Sequence, residues 1–194
     1  SAHSLLSSAI AAWPEAPTVL LREHYRCHPK IINFCNQKFY GGKLIVMTED
    51  HEESDVLTMY RTAPGNHARG HLNQRQIDVI RQEVLPSLER QGYGSIGIIT
   101  PYRDQVAAIQ TQLGKGLEVA TVHKFQGREK DAIVLTSVDN VITDFVDDPR
   151  MLNVAVSRAV KSLTVVTSQD PQNDRTNYGD LARYIEYNNC AVIE

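Results

Sequence analysis

A polar segment at residues 122–129, VHKFQGRE, stands just before the apolar run AIVL of residues 132–135. It places His123, Lys124, Arg128 and Glu129 at the entrance of a predicted buried strand. Burying a charged group is costly unless it finds a partner, so a domain without a ligand would be expected to spread its charges over outer helix faces. The segment therefore predicts a ligand-binding loop.

Two arginines have the chemistry to bind phosphates. Arg26 lies in EHYRCHP (23–29) and Arg158 in NVAVSRA (153–159), and a guanidinium group stays charged and reaches several phosphate oxygens at once. The helix predicted to hold Arg158 has an apolar face that would fix it rigidly: Leu152, Ala155, Val156 and Ala159. Taken singly, each arginine would by default form a structural ion pair with Asp or Glu, whereas the two together at strand-end clusters favour phosphate binding.

Two threonines end predicted strands. The hydroxyls of Thr100 and Thr121, with nearby backbone N–H groups, are of the kind that contact a nucleic-acid backbone without reading its sequence. Tyr102 and Phe125 suit either stacking on bases or filling space in the core.

Apolar runs alternate with helical periodicity along the chain, which fixes the elements that must position these side chains. The predicted strands cover 18–21, 56–62, 95–100, 117–122, 131–138 and 162–168. The predicted helices cover 29–40, 73–92, 102–114, 151–160 and 178–188. Strands rich in Ile and Val, separated by helices, predict an α/β fold with a parallel sheet covered on both faces. We expect the polar clusters near the carboxyl edge of that sheet, where such folds bind ligands.

The composition is that of an ordinary globular domain. The chain has 194 residues, 42% hydrophobic and 22% charged, and a formal net charge of −3, which leaves room for a local basic patch only. Its three widely spaced cysteines and the lack of a signal-like N-terminus predict a reducing, cytoplasmic location. His24, Cys27, His28 and Cys35 match no common zinc-finger spacing, so no metal site is predicted.

The strings YRCHP, GIITPYRDQ, TVHKFQGREKDAIVLT and DPRMLNVAVSRA, in this order, resemble the motifs of the second RecA-like domain of superfamily 1 helicases. The resemblance runs from about Leu20 to about Thr167, and its nearest branch contains the nonsense-mediated-decay RNA helicase and related DNA helicases. It implies a RecA-like fold of the P-loop-NTPase type over 18–194, preceded by an interdomain linker tail at 1–17.

The resemblance also implies roles on the nucleotide side. Arg26 and Arg158 would reach the terminal phosphate of ATP bound to the first RecA-like domain. Glu129 would contact the ribose, Gly127 would allow close approach, and Tyr25 would lie by the adenine.

On the strand side, the resemblance implies contacts to single-stranded nucleic acid from Thr100, Pro101, Tyr102, Thr121, His123 and Lys124. Two positions depart from the family pattern. Cys27 stands where Met is commoner, and His123-Lys124 stands where an acidic residue and a small residue are often found. The second departure bears on the strand contact of the 122–129 segment.

The phosphate-binding string G-x-x-x-x-G-K-[ST] is absent from these residues, as is an Asp-Glu metal pair. We therefore expect ATP with Mg²⁺ to be bound mainly by the first RecA-like domain, and the chain to hydrolyse ATP only as part of a longer helicase moving 5′ to 3′. Two alternatives stay open: a catalytically silent RecA-like interaction module, and the motor part of an ATP-dependent nuclease.

Overall fold

The computed structural model describes residues 26–65, 68–114, 116–125, 128–188 and 191–193. The predicted strand at 18–21 and the predicted linker at 1–17 lie outside these residues. None of the helices described is both long and apolar enough to cross a lipid bilayer.

The helices and strands follow one another in an alternating order. The strands are β1 Leu57–Thr62, β2 Ala68–Arg69, β3 Leu72–Asn73, β4 Ile96–Thr100, β5 Glu118–Thr121, β6 Lys130–Thr136, β7 Ala159–Ser168 and β8 Ala191–Ile193. The helices are α1 Pro29–Phe39, α2 Gln74–Val79, α3 Leu85–Gln91, α4 Arg103–Leu113, α5 Pro149–Ser157 and α6 Asn177–Tyr187, with a π-helical turn at Ile80–Val84 and a 3₁₀ helix at Pro171–Arg175.

Six of the strands form one parallel sheet in the order β5-β4-β6-β7-β1-β8, while β2 and β3 form a separate antiparallel ribbon. The predicted α/β fold is confirmed. Side chains alternate between the two faces of the sheet, so each central strand contributes to two hydrophobic cores. One core holds residues of α1, α5 and α6, and the other holds residues of α2, the π-helical turn and α4.

The start of α1 is set by two residues. Pro29 occupies its first turn, where a missing N–H costs nothing, and the imidazole of His28 accepts a hydrogen bond from the Lys30 backbone N–H at 3.1 Å. The predicted helix at 29–40 is therefore confirmed to within one residue.

The predicted helix at 73–92 contains an irregularity that periodicity did not indicate. Asn73 caps α2, and Gly92 ends α3 with φ of 74°, but the π-helical turn interrupts the α-helical path between them. Pro86 is the second residue after that turn. Proline has no N–H to donate and its ring clashes with the carbonyl four residues earlier, so a wider turn just before it relieves the clash.

The predicted boundary between the helix at 151–160 and the strand at 162–168 is wrong. The helix ends at Ser157, Arg158 is its C-cap residue, and β7 begins at Ala159. The reason is tertiary: Ala159 pairs with Lys130 at the start of β6, and this pairing outweighs the helical spacing of Ala159. The strands β2, β3 and β8 were not predicted either, because each is only two or three residues long.

Candidate functional site

Three predicted nucleotide-side residues lie together at the amino edge of the sheet. Arg26 Nη1 is 3.5 Å from Glu129 Oε2, and Glu129 immediately precedes β6. The backbone N–H of Lys130 donates to the carbonyl of Arg158 at 3.0 Å. Residues from three separate parts of the chain therefore meet where β6 and β7 begin.

The two arginines differ in their surroundings. The Arg26 side chain is 75% exposed, while Glu129 beside it is 14% exposed. Arg158 is only 6% exposed and lies at the junction between α5 and β7, so it does not project from the body of a helix as predicted. Arg26 is thus the guanidinium that a ligand from outside reaches directly.

Hydrogen bonds fix the Arg26 segment to this junction. The Cys27 thiol lies 3.4 Å from the carbonyl of Ser157, and the His28 backbone N–H donates to the Val160 carbonyl at 2.8 Å. These contacts tie residues 27–28 to the end of α5 and the start of β7. The chain therefore holds Arg26 beside Arg158 through its backbone and not by side-chain contact alone.

His28 also lies within a small acidic cluster. Its Nε2 is 2.8 Å from Glu53 Oε2 and 3.4 Å from Asp50 Oδ1, a grouping that has the donor types of a metal site. However, its Nδ1 already accepts the Lys30 N–H, whereas a metal-bound histidine normally donates its second ring nitrogen. Because Nδ1 accepts a hydrogen bond, Nε2 is the ring nitrogen that donates to the carboxylates.

The cysteines that suggested zinc behave as core residues. Cys27 and Cys35 are both buried free thiols, and burial, reinforced by Cys27, raises the pKa of the Cys35 thiol. A protonated thiol in an apolar setting is a poor metal ligand.

The predicted strand-side residues lie at the opposite edge of the sheet. Thr100 and Thr121 pair with each other at the carboxyl ends of β4 and β5. The expectation that all four polar clusters share the carboxyl edge is therefore wrong, because Arg26, Glu129 and Arg158 lie at the amino edge. All four strands β4, β5, β6 and β7 run in the same direction. Residues that precede β6 and β7 therefore lie at the amino edge, whereas residues that end β4 and β5 lie at the carboxyl edge.

The 122–129 segment links these two edges. It leaves β5 at Thr121 and enters β6 at Lys130. Lys130 lies about six residue steps, or roughly 20 Å, closer to the amino edge than Thr121 does. Midway, the fully buried Phe125 covers Gly97 of β4, where an added Cβ would lie only 2.5 Å from Phe125 Cζ. The absence of a side chain at Gly97 is what lets the loop lie against the sheet.

The amino-edge end of this loop is held by ion pairs. Glu118, at the start of β5, pairs with both Arg128 and Lys130, the latter at 2.5 Å. Arg128 Nη2 also donates to the carbonyl of Lys124 at 2.7 Å. The cations flanking Glu129 are thus already engaged with Glu118, and the Glu129 carboxylate pairs with Arg26 instead.

A groove of about 770 Å³ opens at the carboxyl edge. Five of the six predicted strand-side residues line it: Pro101, Tyr102, Thr121, His123 and Lys124. Thr100 does not, because it is fully buried beneath the edge. Tyr25 and Gly127, predicted on the nucleotide side, lie outside the described residues.

Sequence reasoning missed two aromatic residues of this groove. The His71 ring stacks on Tyr102, with centroids 4.1 Å apart and an 8° angle between planes, and Phe145 lies 5.7 Å from Tyr102 on a tilt of 31°. Tyr102 is only 8% exposed, and its hydroxyl donates to Asp139 at 3.2 Å. Burial, the largest influence, raises the pKa of Tyr102. No local sequence signal marks His71 or Phe145, since each comes from a different turn region.

A buried amide network fixes the loop that presents Phe145. Gln76 Oε1 accepts from the Thr136 hydroxyl at 2.6 Å and from the Val138 N–H at 3.0 Å, and Asn73 Nδ2 donates to the Val138 carbonyl at 2.8 Å. Val138 has φ of 69°, which is costly for a β-branched residue. Side chains that satisfy both its N–H and its carbonyl offset that strain and set the direction of the chain leaving β6.

Comparisons with known proteins identify the family of this chain. The model of a family described as "AAA domain" (AAA_12) matches residues 1–170. The chain is similar to an ATP-dependent helicase of Caenorhabditis elegans, with 30% identity over 91% of this chain and 13% of the relative. It is also similar to the mouse 5′-3′ DNA helicase ZGRF1, with 30% identity over 87% of this chain and 10% of the relative.

Regulator of nonsense transcripts 1 of Dictyostelium discoideum is 32% identical over 81% of this chain and 14% of its own length. The chain therefore spans a small part of each of these relatives. Among solved structures, the C-terminal domain of a possible DNA helicase from Lactobacillus plantarum superimposes with a TM-score of 0.52 at 19% identity, covering 80% of this chain and 95% of that one. That likeness shows the fold.

Proposed function

We propose, from the premise that this chain belongs to the AAA domain family (AAA_12) of superfamily 1 helicase C-terminal domains, that it is the second RecA-like motor domain of an ATP-dependent helicase. In this role it completes an ATP site with arginines at one edge of its sheet and grips single-stranded DNA or RNA at the other. Its partner is the first RecA-like domain of the same protein, which binds most of the ATP and Mg²⁺.

The observation that supports this most directly is the meeting of Arg26, Glu129 and Arg158 at the amino edge. Arg26 is exposed and its side-chain contact to Glu129 is long at 3.5 Å, so its guanidinium is able to turn toward a triphosphate. Catalysis of phosphoryl transfer depends largely on placing positive charge near the transferred group. The residues present fit the role of completing a nucleotide site that another domain begins.

In this proposal the chain alone does not form a complete ATP site. Its 194 residues contain no phosphate-binding glycine loop with its lysine. ATP bound with Mg²⁺ on the partner domain supplies the reactive phosphoryl group. Here, Arg26 and Arg158 would stabilise negative charge and Glu129 would orient the sugar.

The 122–129 loop supplies a route for coupling. It joins Glu129 at the nucleotide edge to His123 and Lys124 at the groove, and the Phe125 ring against Gly97 holds it in the middle. A domain movement that draws Glu129 toward nucleotide would shift the groove lining as well. The proposed direction of translocation is 5′ to 3′, as in the name of the mouse 5′-3′ DNA helicase to which the chain is similar. Strand displacement on duplexes with single 5′ or 3′ tails measures it.

The test is Arg26→Ala in the full-length protein, with ATP hydrolysis measured at saturating single-stranded DNA and, separately, RNA. We expect turnover to fall by about 10³-fold or more, because a charge-stabilising arginine is lost. The free energy of unfolding should change little, since Arg26 is 75% exposed. ATP affinity should fall far less than turnover, because the partner domain makes most of the contacts to ATP. Arg81→Ala, which removes an exposed arginine paired with Asp78 on the other helix layer, is the matched control.

Hydrolysis by Arg26→Ala at the wild-type rate would contradict the proposed role of the amino edge. Robust hydrolysis by the isolated chain would contradict the proposal that the site is shared with another domain. A full-length protein with no nucleic-acid-stimulated hydrolysis would favour the silent module.

A further inference from the structure

The groove at the carboxyl edge has an aromatic wall built from three distant parts of the chain. His71 comes from the β2–β3 ribbon, Tyr102 from the start of α4, and Phe145 from the loop after β6. Tyr102 touches both of the other rings and is nearly buried. It therefore supports the wall from within and offers little ring surface of its own.

The exposed rings are the outer two. Phe145, whose ring borders the groove, is 54% exposed, and His71 is also exposed. The loop that presents Phe145 is fixed by Asp139, which accepts from the Tyr102 and Thr143 hydroxyls at 3.2 and 2.9 Å. An exposed ring on a fixed loop is preorganised to bind, because little entropy is lost when a ligand stacks on it.

The charges around the wall suit an anionic chain. Arg103 and Lys124 line the same groove with His123, against one carboxylate, Asp104. Cations that follow a phosphate backbone beside aromatic rings that accept bases are the combination that binds single-stranded nucleic acid without sequence preference.

We propose that His71 and Phe145 are base-stacking residues of this groove, so that the chain holds a single strand by its bases as well as by its phosphates. The inference rests on the proposed function. The sequence left base stacking open for Tyr102 and Phe125, which are both buried, and the structure identifies two other residues for that role. Tyr102 is a positioning residue that keeps the two rings in place.

The test measures how the full-length protein binds two fluorescein-labelled probes of equal length and charge. One is an oligothymidylate of about twelve nucleotides, and the other is the same oligomer with abasic sites throughout. Equilibrium anisotropy should show tighter binding to the strand with bases. Phe145→Ala should weaken that binding by about 5- to 100-fold, the range for loss of one stacked base, and leave binding to the abasic strand nearly unchanged.

Other variants separate stacking from charge and from folding. Phe145→Trp should keep the preference for bases, and Lys124→Ala should weaken both probes alike. Val141→Ala is the matched control, because Val141 is an exposed apolar residue of the same loop that does not line the groove. His71→Ala should reduce the preference and His71→Tyr should retain it.

A spectroscopic readout makes the same distinction. Fluorescence of 2-aminopurine in the strand should change on binding to the wild type and change less with Phe145→Ala. Equal affinity for both probes, or a Phe145→Ala protein with an undiminished preference for bases, would overturn base stacking while leaving the proposed helicase function standing. Binding to neither probe would overturn both.

Discussion

Replacing Gly97 with alanine tests whether the 122–129 loop is held by close packing against the sheet. The new Cβ would lie 2.5 Å from Phe125 Cζ and 3.1 Å from Lys130 Cγ. Carbon atoms in favourable contact lie about 3.5–4.0 Å apart, so the Phe125 ring must move by about 1 Å or more. That ring is fully buried, which leaves it no open space to enter.

The expected cost follows from this geometry. Overpacking a filled core costs about 1–3 kcal/mol, whereas replacing glycine by alanine within a strand returns about 0.5–1 kcal/mol. We expect Gly97→Ala to lower the free energy of unfolding by about 1 kcal/mol, the difference between the middles of these ranges, and by at most about 2.5 kcal/mol, measured by urea titration at 25 °C. Gly94→Ala is a milder comparison, because its nearest neighbour would be the tip of the Asp131 side chain at 3.3 Å.

A double-mutant cycle with Phe125→Leu isolates the contact. Leucine lacks the far end of the ring, so the double variant should lose less stability than the sum of the two single variants by at least about 0.5 kcal/mol. If the two losses add to within about 0.3 kcal/mol, the ring and the glycine do not restrain each other and the proposed anchoring of the loop is refuted.

Two further predictions concern parts of the fold that position the sites. Gln76→Leu should lower the free energy of unfolding by about 2–5 kcal/mol, since it leaves the Thr136 hydroxyl and the Val138 N–H buried without their acceptor; a loss under about 1 kcal/mol in a urea titration would contradict this reading. Hydrogen bonds from its own backbone N–H and from His28 lower the pKa of Glu53. Its carboxylate therefore stabilises the fold above its ordinary pKa and loses that effect as the pH falls through the lowered pKa. Glu53→Gln should therefore be less stable than the wild type at pH 7 and converge with it in acid, and an equal difference at both pH values would count against the His28 contact.

Helices and strands with strong local signals were predictable from the sequence. The alternation of Ile- and Val-rich runs with helical periodicity predicted the parallel sheet, and its helices and strands lie within a few residues of the expected bounds. Boundaries failed where pairing between distant segments decided them. Ala159 follows helical spacing, yet it begins β7 because Lys130 of β6 lies beside it.

The types of residue at the sites were also set by the sequence, whereas their arrangement was not. Guanidinium groups, hydroxyls and a polar loop before a buried strand are visible as letters, and their chemistry follows from those letters alone. The sequence did not reveal that they divide between two edges of the sheet, because an edge is defined by which strands pair and in which direction. Nor did it show that Arg158 is buried while Arg26 is exposed.

The aromatic wall of the groove shows the same division. Local patterns determined helices and strands wherever the backbone preference of a segment agreed with the spacing of its apolar residues. Only the tertiary structure brought His71 and Phe145 to Tyr102 and left their rings exposed. Contacts between residues far apart in the chain depend on the packing of the whole sheet and its helices, and no short stretch of sequence determines that packing.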